Sequence, residues 1–239
     1  MRLPMSPDHR HDRQCFALTA ACPGLGLFLS LACAAGPACA QTSGSLSLVS
    51  EYAVRGISLS GGRPALQLRI DHDMANGWYA GGFASPVKLG DDGRQAGLIV
   101  YGGRAGSLPS GLSWDAGLSR AIFLHSNEYD YTEFHAGLAL DQASASLFVS
   151  PAYYGNKPSA YLDLNAFHPL GERLRLTFHA GLLHRFGAYA GPHDRADLRL
   201  GLASTFGDCT VQLGWQTLLR AGANARRARA LSGSVGIRF

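Results

Sequence analysis

Arg173-Leu174-Arg175-Leu176-Thr177-Phe178-His179-Ala180-Gly181 alternates without a break: Leu174, Leu176, Phe178 and Ala180 fall on one face, Arg173, Arg175, Thr177 and His179 on the other. Successive side chains of an extended strand point to opposite sides, so a period of two marks a strand whose faces meet different surroundings. The pattern returns at Leu198, Leu200 and Leu202 against Asp197, Arg199 and Gly201, and at Leu66, Leu68 and Ile70 against Gln67, Arg69 and Asp71. From residue 41 onward no apolar run reaches the roughly 18 residues of a spanning helix, and no longer segment repeats with a helical period. Helical membrane spans are therefore excluded.

The same template predicts twelve strands, at 45–56, 64–73, 78–86, 95–105, 111–123, 131–141, 143–153, 160–168, 173–185, 195–206, 209–219 and 230–239. Gly81, Gly82, Gly102 and Gly103 obscure the faces of the third and fourth. Short connections (74–77, 106–110, 141–142, 169–172, 207–208) alternate with longer ones (57–63, 87–94, 124–130, 154–159, 187–194, 220–229). That is the signature of an up-and-down barrel with short turns at the periplasmic end and long loops at the extracellular end. An even strand number puts both ends of the chain on the short-turn side.

Composition decides which way the faces look. Hydrophobic residues make up 46% of the chain and charged residues only 16%, too apolar for a disordered chain and too poor in charge to wet both sides of a long sheet. In a lipid bilayer the arrangement inverts, apolar faces outward and polar faces inward. A sheet survives there only when closed, because its backbone groups find no water to bond. The fold class is thus all-β, a transmembrane antiparallel up-and-down β-barrel of about 12 strands, each of about ten residues, enough to cross when tilted. Aromatics near predicted strand ends, Tyr52, Trp78, Tyr79, Trp114, Phe123, Tyr131, Tyr153, Tyr154, Phe167, Phe186, Phe206 and Trp215, are candidates for two interfacial girdles.

Residues 1–40 read differently. Arg2, Arg10 and Arg13 precede an apolar stretch from Phe16 to about Ala35, closed by Ala38-Cys39-Ala40. This has the layout of a secretory signal peptide cleaved near Ala40, with 41–239 as the barrel domain. Cys15, Cys22, Cys33 and Cys39 fall in that leader, so the processed chain keeps only Cys209 and forms no internal disulfide. The leader also holds three Arg and two Asp, and the remaining 18 basic and 15 acidic residues are too balanced to argue for nucleic acid.

At the other end Leu231, Gly233, Val235, Ile237 and Phe239 alternate with Ser232, Ser234, Gly236 and Arg238. A final strand with a terminal aromatic resembles the one by which Gram-negative outer-membrane proteins engage the barrel-insertion machinery. The opening, Leu48-Val49-Ser50-Glu51-Tyr52-Ala53-Val54-Arg55-Gly56-Ile57-Ser58, with Pro64-Ala65-Leu66-Gln67 and Gly77-Trp78-Tyr79-Ala80-Gly81, resembles that of the TorF-type putative porins. The likeness covers about residues 48–85, and it implies an outer-membrane porin in a Gram-negative cell envelope without naming a permeant. The chain departs from the family pattern at 58–63, where Leu59 and Gly61-Gly62 replace a more polar run.

With apolar faces on lipid, the opposite faces line a lumen with Glu51, Arg55, Arg69, Asp71, Asp115, Glu133, His135, Asp163, Arg173, Arg175, His179, Asp197, Arg199 and Arg238. About twelve strands lie between the filled barrels of eight and the open channels of sixteen, so a narrow pore is expected. Charge in such a constriction selects permeants by sign, and Arg173, Arg175 and Arg199 form the candidate anion-favouring cluster. Pairing of these arginines with Asp163 and Asp197 as a brace is the structural alternative. Arg220, Arg226, Arg227 and Arg229 crowd the last long loop and are candidates for contact with lipopolysaccharide phosphates.

The expected function is passive diffusion of small hydrophilic solutes, with no catalytic residues, metal or cofactor. His125 and Ser126 are adjacent and would point to opposite faces of a strand, which argues against an outer-membrane lipid-modifying enzyme. The histidines show no metal-binding spacing. A closed barrel serving as adhesin or envelope scaffold stays open beside the pore.

Overall fold

The computed structural model describes residues 40–90, 93–188, 192–222 and 225–239. The leader expected over 1–40 lies, except for Ala40, outside the described residues. Fourteen strands follow one another: β1 (Gln41–Val49), β2 (Ala53–Val54), β3 (Ile57–Ser58), β4 (Ala65–Asp73), β5 (Trp78–Val87), β6 (Gln95–Ser107), β7 (Ser113–Phe123), β8 (Tyr131–Leu140), β9 (Ala143–Ser150), β10 (Ser159–Pro169), β11 (Leu174–Arg185), β12 (Asp194–Phe206), β13 (Cys209–Leu219) and β14 (Leu231–Arg238). Twelve of them pair with their chain neighbours, all antiparallel, and β14 returns to β1 to close the barrel; β2 and β3 form a separate hairpin.

Closure satisfies every ladder at both edges, which is what a sheet in hydrocarbon requires. At the seam Ser45 pairs with Arg238 and Val49 with Ser234. One residue beyond, Gly44 and Phe239 exchange both backbone hydrogen bonds, at 2.8 and 3.0 Å. The Phe239 ring lies on Gly44, where a Cβ would stand 2.4 Å from it.

The side chains are inside out relative to a water-soluble sheet. On β4 Leu66, Leu68 and Ile70 are 53%, 40% and 47% exposed while Ala65 and Gln67 are buried. On β12 Leu198, Leu200 and Leu202 face out and Asp197 and Ala203 face in. Leaving such rows in water would forfeit about 1.5–3 kcal/mol per large apolar side chain, so the outer surface calls for lipid.

The observed strands overlap all twelve expected ones, with one correction. The first does not run to residue 56. The wall ends at Val49 and the chain turns into the barrel, where residues 51–60 are buried apart from the half-buried Ile57. Arg55 (φ 50°) and Gly56 (φ 73°) are both left-handed, the backbone of a tight two-residue hairpin, and they join Val54 to its partner Ile57. A Cβ on Gly56 would stand 2.9 Å from Leu218 and 3.1 Å from Asp197, so the turn is pressed against the far wall.

The girdle expectation also needs revision. Trp78, Phe186, Phe206 and Trp215 do face outward, whereas Tyr52, Tyr79, Phe123, Tyr131 and Tyr153 are buried inside. Inward positions near the hairpin meet protein, and aromatic side chains fill that space.

Candidate functional site

The lumen is built in tiers. The upper tier is the hairpin and what holds it. Arg55 donates through Nη1 and Nη2 to Oε1 and Oε2 of Glu133 at 2.8 and 3.0 Å, a bidentate pair with both side chains almost wholly buried. Its guanidinium also lies 4.1 Å from the ring centre of Tyr161 and 4.9 Å from that of Tyr153, close enough for cation–π attraction. Burial opposes the Arg55 charge, but the Glu133 carboxylate outweighs it and holds the guanidinium protonated well beyond the ordinary range. The hairpin's apolar side, Val54 and Leu59, joins Tyr52, Val87, Ile99, Phe123, Tyr131 and Tyr153 in one cluster.

The last long loop locks the hairpin from above. Ser58 N–H donates to the Arg226 carbonyl and Ala228 N–H to the Gly56 carbonyl, at 2.8 and 3.0 Å, so the hairpin gains a third strand-like partner. Arg229 N–H donates to Glu51 Oε2 at 2.6 Å. Glu51, expected on a strand face, thus serves as a loop anchor.

The middle tier holds two similar clusters. His135 Nε2 lies 2.7 Å from Asp115 Oδ2, and the Tyr79 hydroxyl lies 3.0 Å from the same nitrogen and 3.2 Å from the same oxygen. Across Phe148, His179 Nε2 lies 2.7 Å from Asp197 Oδ2 and its Nδ1 3.1 Å from Asp163 Oδ1, with the Tyr161 hydroxyl donating to Asp197. Arg69 donates to both oxygens of Asp71, at 2.7 and 2.9 Å, and the Tyr101 hydroxyl donates to Asp71. Paired charges of this kind brace a wall and leave no isolated charge buried.

Glycines make room for the phenols. Tyr79 pairs with Gly103 and Gly81 with Tyr101 across β5 and β6. A Cβ at Gly103 would stand 2.5 Å from the Tyr79 hydroxyl, and one at Gly81 2.5 Å from the Tyr101 ring. Tyr79 was expected only in a girdle, and Tyr101, Tyr161 and Phe148 did not figure among the sequence candidates. Cross-strand Gly–Tyr pairs on one face are the signal that would have found them.

The lower tier is lined by small polar side chains, including Ser45, Ser47, Thr177 and Thr205, with Arg175 and Arg238 facing in from β11 and β14, and Arg199 facing in above them, level with His179. Arg199 donates to Gln216 Oε1 at 2.7 Å, a neutral acceptor. Arg175 and Arg238 lie close enough for their like charges to act on each other. Arg173 is elsewhere: it sits in the exposed turn before β11, its guanidinium 5.8 Å from the ring centre of the outward Phe206. Of the expected cluster, Arg173 lies outside the lumen, Arg199 stands level with His179, its partner on β11, and Arg175 neighbours Arg238.

Arg226 donates to the Gly90 carbonyl, Arg227 to the Leu218 carbonyl at 3.4 Å, and Arg229 lies against Gly62, so the three stand over the mouth; Arg220, left-handed at φ 54°, follows β13 directly. His125 N–H donates to the Gln95 side-chain carbonyl and the buried Ser126 hydroxyl accepts from the Gln95 amide, so the pair is part of a loop clasp. The rings of His184 and His193 stack 6.4 Å apart at the extracellular rim. Among the described residues no three potential ligands converge to hold a metal.

A closed antiparallel wall, apolar outside, with an ion-paired interior and a loop folded into it, defines a transmembrane β-barrel. The chain belongs to the family Gcw_chp, described as bacterial protein of unknown function, which it matches over residues 32–224. The TorF-type likeness rests on residues 48–85 alone. No curated protein matches the chain. Among solved structures it is similar to the KdgM porin (TM-score 0.54, 13% identity, 82% of this chain and 98% of that one) and to the NanC porin (TM-score 0.54, 11% identity, 83% and 98%). A second KdgM structure, in complex with disordered oligogalacturonate, aligns with TM-score 0.50 and 14% identity over 83% and 98%. At these identities the likeness is one of fold.

Proposed function

We propose that this protein is a porin-like channel of the Gram-negative outer membrane, through which small hydrophilic solutes diffuse past a constriction made by its own first loop. The carrying observation is a polar, ion-paired lumen beneath a hairpin whose backbone forms no ladder with the wall and which is held in the mouth by side-chain contacts and the last loop. Arg199, bonded to the neutral Gln216, and the neighbouring Arg175 and Arg238 favour anions in the lumen. The oligogalacturonate complex of the KdgM porin supports a permeant of saccharide size. The leader over 1–40 delivers the chain for export, and the strand ending at Phe239 presents it to the insertion machinery. Arg220, exposed at the end of β13, is our candidate in the last loop for contact with lipopolysaccharide phosphates.

The test is planar-bilayer recording of the purified protein in a salt gradient. Discrete conductance steps are expected, with a reversal potential that moves toward cation preference in Arg175→Gln/Arg199→Gln/Arg238→Gln. A second reading, a barrel kept shut as an envelope scaffold or adhesin, draws support from the burial of residues 51–60. Silence at every voltage, in the native chain and in Arg55→Ala alike, would decide for that reading.

A further inference from the structure

The outer mouth is crowded with basic residues. By sequence, connections 59–64, 88–94 and 220–230 hold seven basic residues, Arg63, Lys88, Arg94 and the four arginines of 220–230, against two acidic ones, Asp91 and Asp92; their described residues meet over the hairpin. Among the described residues Arg63, Lys88, Arg94, Arg227 and Arg229 form no ion pair, and all five are exposed. Inside the barrel, by contrast, Asp71, Asp115, Glu133, Asp163 and Asp197 all face a cationic or histidine partner.

Two of these cations are brought together by the loop tip. Gly61 (φ 64°) and Gly62 (φ 73°) are successive left-handed residues, a backbone that side chains resist. A Cβ on Gly61 would stand 3.5 Å from the Lys88 stem, and one on Gly62 3.4 Å from both Nε and Nη2 of Arg229. The glycines therefore form a low floor flanked by two cationic side chains. The backbone roots of both cations are pinned: Lys88 N–H donates to the Leu59 carbonyl at 2.6 Å, and Arg229 N–H to Glu51. Leu59 and Glu51 are buried inside the barrel, so the site stands over the axis and away from the lipid-facing rim.

We propose that Lys88 and Arg229, across the Gly61-Gly62 floor, bind a soluble multivalent oxyanion, a phosphate- or carboxylate-bearing solute, at the extracellular mouth. Two neighbouring cations that form no ion pair among the described residues concentrate anions and hold them by charge-assisted hydrogen bonds. That the bound solute is an incoming permeant rests on the channel reading; the binding does not.

Calorimetry of the detergent-solubilised full chain with inorganic pyrophosphate at low ionic strength tests the site. Saturable binding is expected, weakened at least tenfold in Lys88→Gln/Arg229→Gln and unchanged in Arg104→Gln, which lies on the outward face toward the opposite end. Compact migration on unheated gels verifies that each variant is folded. Absence of binding, or equal binding by the double variant, overturns the proposal. Lipopolysaccharide retained by the native chain and lost by the double variant, without pyrophosphate binding, also overturns it and assigns these cations to lipid. Pyrophosphate binding in a protein that never conducts upholds the site and removes the permeant.

Discussion

The upper and lower halves of the lumen are made by the same strands with the same inward parity, yet their chemistry differs. Along β10 the inward positions pass from Ser159 and Tyr161, packed near the hairpin, to Asp163 and Asn165, which hydrogen-bond to each other and to His179. Along β8 they pass from Tyr131 and Glu133 to His135. Where the chain's own loop fills the space, the wall supplies aromatic rings and a single buried counter-charge for Arg55. Below the loop it supplies networks that water or a solute can share. The interior of this barrel thus takes its character from what occupies it.

The strongest way to break the contrast is Arg55→Ala, which leaves Glu133 buried and unpaired at a cost of about 3–5 kcal/mol. The hairpin should undock, seen as higher single-channel conductance and faster proteolysis within 50–64. Arg55→Met/Glu133→Leu removes both charges and should recover most of the docking, because an apolar pair of similar volume suits the aromatic surroundings. Unchanged conductance and protection in Arg55→Ala would show that the hairpin is held by the last loop alone.

Gly181→Ala sharpens the boundary between the halves. Its Cβ would stand 2.0 Å from the Tyr161 hydroxyl and 2.6 Å from Asp197 Oδ1. Overpacking there should cost about 1–3 kcal/mol, read as a lower urea midpoint for unfolding from micelles. An unaltered midpoint would mean that the His179 network yields without loss.

The smallest effect belongs to Arg173→Gln. Its side chain lies outside the lower lumen, so the reversal potential should stay where it is, while the Arg175, Arg199 and Arg238 substitutions move it. A shift of equal size in Arg173→Gln would return that residue to the conduction path.

Most of the wall was legible because its two faces meet solvents as unlike as hydrocarbon and water, and strands such as 173–185 and 195–206 record that difference at every second residue. The hairpin was not, because Glu51, Ala53 and Arg55 alternate with Tyr52 and Val54 just as a wall strand would. Only the Arg55-Gly56 pair marks the turn, and a non-glycine left-handed residue leaves no compositional trace. Gly81 and Gly103 read as interruptions until the rings of Tyr101 and Tyr79 are seen to lie on them. Arg173 keeps the parity of Arg175, but the strand begins one residue later, and parity has no meaning in a turn. The pairing of each lumen acid was beyond reach because it depends on the barrel's circumference, which periodicity does not encode.

The seam between β1 and β14 has a consequence for assembly. All other wall ladders join neighbours along the chain and can zip as each hairpin forms, whereas Ser45 meets Arg238 only after the whole ring has curled round. Until Phe239 settles on Gly44, two strand edges stay unsatisfied, and hydrocarbon punishes such edges severely. The pairing of β1 with β14 thereby satisfies both remaining edges at a single seam.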